Sequence, residues 1–277
     1  MQANKVILNG ETIIDLTQDT VIESDVAVGK TFHKKDGTTA VGTYVPSGVS
    51  GDVWNGAVIV EDITENATNG TYGLAYEQQS NGTYMCTGIG TAESEEIIIA
   101  NEVNGQPVAH ISDEAFYNNK RIRSLHVGGS VKRIPSGAFR LCSALESIYI
   151  EPGVCSSIRE NAFRNCTYVT SVELPDNILH IYAGAFYGCS NITSIRLPEK
   201  LQTIGDIAFY TCSNLRTVEM YNYVTQINSR CFCSTRLNRI IYHGTKAQWY
   251  GIVKLDGWED AASNAITVEC EDGSVLI

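Results

Sequence analysis

The sequence predicts a strand-rich, α/β-type repeat solenoid preceded by a small β module, and three observations carry that reading. First, one line recurs: "AFYGCSNITSIRLPEK" (Ala185–Lys200) returns 23 residues later as "AFYTCSNLRTVEMYNY", and is preceded by "AFRNCTYVTSVELPDN" and "AFRLCSALESIYIEPG". Self-similarity at about 20–30 residues marks stacked supersecondary units. Second, six of the seven phenylalanines fall in one column: Phe116, Phe139, Phe163, Phe186, Phe209 and Phe232. Third, each line places apolar residues at three linked positions, as in Leu145, Ile148 and Ile150, or Ile192, Ile195 and Leu197.

Residues 1–44 belong to no repeat; their glycines and the "KKDG" turn predict small β-structure. Residues 45–70, rich in Gly, Ser, Asn and acidic groups, read as a linker. Six lines then fill residues 111–242, aligned on Ile111, Ile134, Ile158, Ile181, Ile204 and Ile227, at a period of 23 with one inserted residue near Cys155. Line six is one residue shorter between Phe232 and Leu237, so its corner is expected to differ. Within a line, two apolar residues flank one outward residue, the alternation of a short strand with one face buried. Stacked lines bring these strands into a parallel sheet, and Pro175 and Pro198 end two of them because proline offers the ladder no N–H. One line cannot bury its own phenylalanine; its neighbours do, so stability resides in repeat interfaces. Each buried Phe contributes about 1.5–3 kcal/mol.

A second column holds Cys142, Cys166, Cys189 and Cys212. A metal or redox ladder is one reading. Zinc needs ligands converging tetrahedrally, which a column spaced one strand apart does not supply. The structural reading is a small buried side chain whose S–H donates weakly to a turn carbonyl.

The composite line "IxxxAFxxCxxLxSIxLPxxVxx" resembles the BspA-type, or Treponema pallidum-type, leucine-rich repeat of bacterial surface proteins, over about Tyr72 to Ile277. The resemblance implies a right-handed leucine-rich-repeat coil with a parallel sheet on one face. It also assigns residues 71–110 to an opening hairpin ("GLAYEQQSNGTYMCTGIG") and an incomplete first repeat ("EEIIIANEVNGQPVAHI"). Residues 243–277 become a closing cap, with Trp249 covering the last coil. What the family implies is adhesion or ligand recognition on a non-catalytic scaffold. The segment "DLTQDTVIESDVAVGKTFHKKDGTTAVGT" resembles a short module of phage and prophage tail-associated proteins of Gram-positive gut bacteria. That likeness implies attachment to other tail proteins through residues 1–44.

Composition narrows the function classes. Hydrophobic content is 43%, and no apolar run reaches the roughly 18 residues of a membrane span, so no membrane insertion is expected. The net charge of −11 is uneven: Asp36 to Asn119 carry 12 acidic residues and no Lys or Arg, while the remainder holds 20 basic and 19 acidic residues. Without a basic stripe the chain is a poor binder of phosphate backbones, so nucleic acid is set aside as a partner. Nine cysteines, an odd number at these spacings, do not read as a secreted disulfide framework. The opening "MQANKVILNGETIIDL" lacks a basic segment followed by an apolar one, so it is not a Sec signal. Export by another route, as in virion assembly followed by lysis, or a signal upstream is expected, with the protein extracellular or on a tail particle.

No catalytic residue, metal ligand or cofactor is expected. The histidines, His33, His110, His126, His180 and His243, show neither HxxxH nor HExxH spacing. No GxSxG, P-loop or strand-linked GxGxxG occurs. Cys231 and Cys233 have no second pair, and Glu93, Glu95 and Glu96 read as a solvated turn. What varies from line to line is an outward strand column, His126, Tyr149, Glu173, Arg196, Glu219 and Ile241, with a second column of Arg123, Glu146, Thr170, Thr193, Arg216 and Asn238. Column neighbours lie about 4.8 Å apart, which would set Glu173–Arg196–Glu219 and Arg123–Glu146 side by side. One reading is a self-satisfied charge ladder. The other is a binding strip centred on His126, Tyr149, Glu173, Arg196, Glu219, Arg123, Glu146 and Arg216, since repeat proteins recognise partners along an extended face. The target is a protein or a glycan on a cell or matrix surface.

Overall fold

A computed structural model describes residues 70–259 and 265–277, together with strand backbone at 5–8, 11–15, 31–33, 39–41 and 67–68. The chain divides into two compact units, Met1–Glu61 and Asp62–Ile277. In the first, β1 (Lys5–Leu8) pairs antiparallel with β2 (Glu11–Asp15), and β3 (Thr31–His33) pairs antiparallel with β4 (Thr39–Val41). The rest of the 1–44 module, and residues 45–66 of the expected linker, lie outside the described residues. The end of that linker is a strand rather than a connection, because Ala67–Thr68 pairs antiparallel with Glu102–Val103.

The second unit opens with β5 (Ala67–Thr68), β6 (Ala75–Gln78), β7 (Tyr84–Gly88), β8 (Glu96–Ile99), β9 (Glu102–Val103) and β10 (Gln106–Ile111). All but β8 form one sheet in the order β5-β9-β10-β7-β6. The hairpin β6–β7 turns through "SNGT", Ser80–Thr83, where the Asn81 side chain accepts from the Thr83 backbone N–H at 3.0 Å and Gly82 takes φ 85°. The repeats follow as β11 (Ser124–Val127), β12 (Ser147–Ile150), β13 (Ser157–Ile158), β14 (Ser171–Glu173), β15 (His180–Ile181) and β16 (Ser194–Arg196). Next come β17 (Thr203–Ile204), β18 (Thr217–Tyr221), β19 (Gln226–Ile227), β20 (Arg239–His243), β21 (Val253–Lys254), β22 (Thr267–Cys270) and β23 (Gly273–Leu276).

These strands sort into a front sheet and a side ladder. The side ladder is parallel and continuous, β13-β15-β17-β19-β21, and starts from a bridge between Ile134 and Ile158. The front sheet is parallel through β8-β11-β12-β14 and again through β16-β18-β20-β22, with β23 added antiparallel at its edge. No strand pairing joins β14 to β16. Pro198 has no N–H to offer the ladder at this junction, but neither has Pro175 one coil earlier, where β14 still pairs with β12.

Between side ladder and front sheet the chain turns through the phenylalanine corner. The six rings are buried and stack face to face, centroids 5.0 to 5.4 Å apart. Backbone bonds reinforce the stack: Phe186 N–H donates to the Ala208 carbonyl at 2.9 Å and Phe163 N–H to Ala185 at 2.8 Å. Each corner bends through residues of positive φ; Gly188 (φ 72°) also permits close approach, since a Cβ there would lie 2.3 Å from Asn165 Oδ1. The cysteine column lies just inside. Cys142, Cys166, Cys189 and Cys212 donate to the carbonyls of Phe116, Phe139, Phe163 and Phe186, at 3.1 to 3.2 Å. Burial pushes the Cys142 and Cys189 thiols up to about 12 and holds those of Cys166 and Cys212 well above their ordinary value.

The last coil is closed by a six-residue helix, Lys246–Gly251, whose N-cap Thr245 and Gln248 form a reciprocal capping box. Its buried Trp249 packs edge-on against Tyr242 and Trp258, at 5.4 and 6.0 Å, with the Lys254 ammonium 4.3 Å from its ring centre. Among the described residues no helix is long and apolar enough to cross a membrane.

Candidate ligand-recognition face

Alternation along each front strand buries the flanking aliphatics and turns one side chain outward. Ile148 and Ile150 are buried around Tyr149, and Leu125 and Val127 around His126. Register aligns His126, Tyr149 and Glu173 on three adjacent strands. Beyond the missing rung it aligns Arg196, Glu219, Ile241 and Glu269. The face thus has two halves.

In the first half, Tyr149 is 37% exposed and its ring makes a T-shaped contact with His126, centroids 4.8 Å apart. His126 Nε2 is hydrogen-bonded to Glu151 Oε1 at 2.7 Å. Glu151 is itself fixed, accepting from Asn101 Nδ2 at 2.8 Å and from the Gly129 backbone N–H at 3.0 Å. These bonds, led by the Asn101 amide, hold its carboxyl below the usual carboxylate range. Arg123 donates to Glu146 at 2.6 Å and to Glu95 at 2.9 Å, so Glu95 is half of an ion pair as well as part of a solvated turn.

The second half corrects the expected Glu173–Arg196–Glu219 ladder. With β14 unpaired to β16, Glu173 and Arg196 are not strand neighbours, and Arg196 pairs instead with Asp176 Oδ1 at 2.8 Å. Its Nε donates to the Tyr221 hydroxyl at 3.1 Å and its guanidinium sits 5.1 Å from the Tyr221 ring centre. Tyr221 in turn donates to Glu219 at 3.2 Å, and His243 Nε2 meets the same carboxylate oxygen at 2.8 Å. The Tyr221 and His243 rings stack at 4.4 Å. A network Asp176–Arg196–Tyr221–Glu219–His243 therefore spans the half, and the Arg196 hydrogen bond lowers the Asp176 pKa. Arg239 closes the row with a bidentate pair to Glu269, at 2.8 and 2.7 Å.

Asp176, Glu151 and Tyr221 were not among the residues singled out from the sequence, nor was His243 except as one of five histidines without site spacing. The signal for the last two was available. Lines three and four carry Pro175 and Pro198 at that position, whereas lines five and six carry Tyr221 and His243, so β18 and β20 run on to five residues. Two singled-out charges have no ion pair or side-chain hydrogen bond among the described residues: Glu173, exposed beside Tyr149, and Arg216, two coils on in another column. Around Glu173 the exposed hydroxyl side chains are Thr170, Ser171, Thr193 and Ser194.

Away from this face, a cavity of about 350 Å³ lies in the corner between side ladder and phenylalanine stack, lined by Asp113, Glu114, Ser136, Gly137, Arg140, Glu160 and Asn161. Among the described residues no group of three or more His, Cys, Asp or Glu is placed to hold a metal ion.

The family model of the BspA-type leucine-rich repeat region, in six copies, matches residues 92–156 and 152–250. A comparison with curated proteins gives no match. Among solved structures, the chain is similar to a leucine-rich cell surface protein from Faecalibacterium prausnitzii, with a TM-score of 0.56 at 26% identity, over 76% of this chain and 60% of that one. It therefore spans about three fifths of that protein's solved length. It is also similar in fold to the leucine-rich repeat protein of T. pallidum, with a TM-score of 0.56 at 21% identity, over 66% of this chain and 83% of that one. The repeats matched by the family model cover more than half of the residues, and the chain belongs to the BspA-type leucine-rich repeat family.

Proposed function

We propose that this chain is a non-enzymatic adhesion protein that presents its front sheet to a protein or glycan on a cell or matrix surface. The observation that carries the reading is a braced, exposed aromatic, Tyr149, beside an unpartnered charge, Glu173, on an extended sheet face. An inert scaffold gains nothing from holding an exposed ring in place through a chain of hydrogen bonds. The test is a binding assay of the purified chain on candidate cell and matrix surfaces, repeated with Tyr149→Ala. The reading expects saturable binding weakened by that substitution at unchanged thermal midpoint; binding indifferent to every front-face substitution overturns it.

For its placement we infer a phage-tail-like particle, with residues 1–44 as the attachment segment and other tail proteins as its partners. The support is the resemblance of that segment to tail-associated modules. The alternative is a free cell-surface adhesin, which the description of the F. prausnitzii protein as a cell surface protein favours. Mass spectrometry of purified, induced particles separates the two. Stoichiometric peptides from this chain support particle attachment; peptides confined to the cell-wall or culture fraction support the adhesin.

A further inference from the structure

Each outward-column carboxylate of the front face except one has a partner supplied by the chain. Glu219 has His243 and Tyr221, and Glu269 has Arg239. The flanking carboxylates are committed too: Glu95 and Glu146 to Arg123, Asp176 to Arg196, Glu151 to Asn101 and His126. Glu173 is the exception. Its would-be partner, Arg196, stands across the missing rung and is held by Asp176 and Tyr221. On its other side Glu173 is in register with Tyr149, whose exposed ring makes a T-shaped contact with His126.

We propose that Tyr149 and Glu173 form a seat for a cationic side chain, the ammonium of a lysine or the guanidinium of an arginine, offered by a protein partner. Charge complementarity carries the choice: a carboxylate the chain leaves unneutralised, next to a ring whose face attracts cations, is completed by a cation and by no neutral group to the same degree. Register sets the two about 4.8 Å apart, so one cation reaches both the carboxylate and the roughly 6 Å range of the ring centre. The ring is already held against His126, so little ordering accompanies binding. The seat rests on the front face being the recognition surface and names the chemistry that it recognises.

The full chain is titrated with an acetylated, amidated tri-lysine peptide and, separately, with neutral chitotriose, for wild type, Tyr149→Ala, Glu173→Gln and Glu269→Gln. Glu269→Gln makes the same change of net charge at a carboxylate that Arg239 already neutralises. The seat expects peptide binding that weakens with salt, weakens about fivefold or more in Tyr149→Ala and in Glu173→Gln, and changes less than about twofold in Glu269→Gln. Equal effects of Glu173→Gln and Glu269→Gln, or no peptide binding, overturn it. Chitotriose binding that Tyr149→Ala abolishes and Glu173→Gln spares overturns the seat while retaining the face, as a sugar site. A surface target insensitive to Tyr149→Ala, Glu173→Gln and Arg196→Glu alike overturns the face itself.

Discussion

Replacing Phe186 by alanine strikes the stack at its centre. The ring is fully buried and lies face to face with Phe163 at 5.3 Å on one side and with Phe209 at 5.3 Å on the other. Truncation removes both ring contacts and opens a void that the neighbours cannot fill, because each is held by its own backbone bond to the next coil. Large-to-small changes of this kind cost about 3–5 kcal/mol. For a unit of this size that lowers the thermal midpoint by about 6–20 °C. Phe116 provides an internal control, since it stacks on Phe139 alone, and its truncation is expected to cost less. The assay is thermal and urea unfolding followed by far-UV circular dichroism, comparing midpoints because a repeat array need not unfold in one step. A Phe186→Ala midpoint equal to that of the wild type, or a Phe116→Ala loss exceeding it, refutes the claim that the stack carries the stability.

Three further outcomes follow from the same geometry. Arg196→Glu is expected to preserve the circular dichroism spectrum and lower the midpoint by only about 2–4 °C, since exposed pairs contribute at most about 1 kcal/mol, while changing binding to a validated target; unchanged binding removes this column from the recognition surface. In native protein at neutral pH a thiol reagent should modify only Cys233 and Cys270, the two partly exposed cysteines, and the count should rise to nine in denaturant; rapid native modification of the buried column contradicts the burial argument. Asp176 and Glu151 have pKa values held below those of free carboxylates, so their contribution is present above the ordinary carboxylate range and lost as pH falls through the depressed native values. The midpoint should stay flat down to about pH 5 and fall below about pH 4, less steeply in an Asp176→Asn, Glu151→Gln double variant; parallel profiles would count against this assignment.

The coil and its core were legible because repetition multiplies a weak local signal. One Phe or one Cys says little, but six rings and four thiols in register leave few arrangements that bury them all. The hairpin at Ala75–Gly88 and the cap around Trp249 came through resemblance to whole segments rather than through periodicity. The front face was legible only in part. Its columns follow from alternation, and Arg123–Glu146 forms as neighbouring positions imply. Arg196, however, chooses among several acceptors within reach of a long side chain, and which lies nearest depends on the missing rung between β14 and β16. That interruption involves hydrogen bonds between segments some twenty residues apart, and proline does not mark it, since Pro175 ends β14 as Pro198 ends β16 and β14 still pairs with β12.

The cysteine column has a consequence for the order of events in the protein's life. Neighbouring members stand about one strand spacing apart, within the Cα range that a disulfide spans, yet each thiol is aimed at a phenylalanine carbonyl instead of at its neighbour. The folded coil is therefore kinetically sheltered from oxidation, while the nascent chain offers nine reactive thiols with many wrong pairings. For the column to stay reduced, folding has to precede any contact with an oxidant, so refolding under oxidant should yield scrambled, cross-linked chains where the prefolded protein keeps its seven buried thiols reduced.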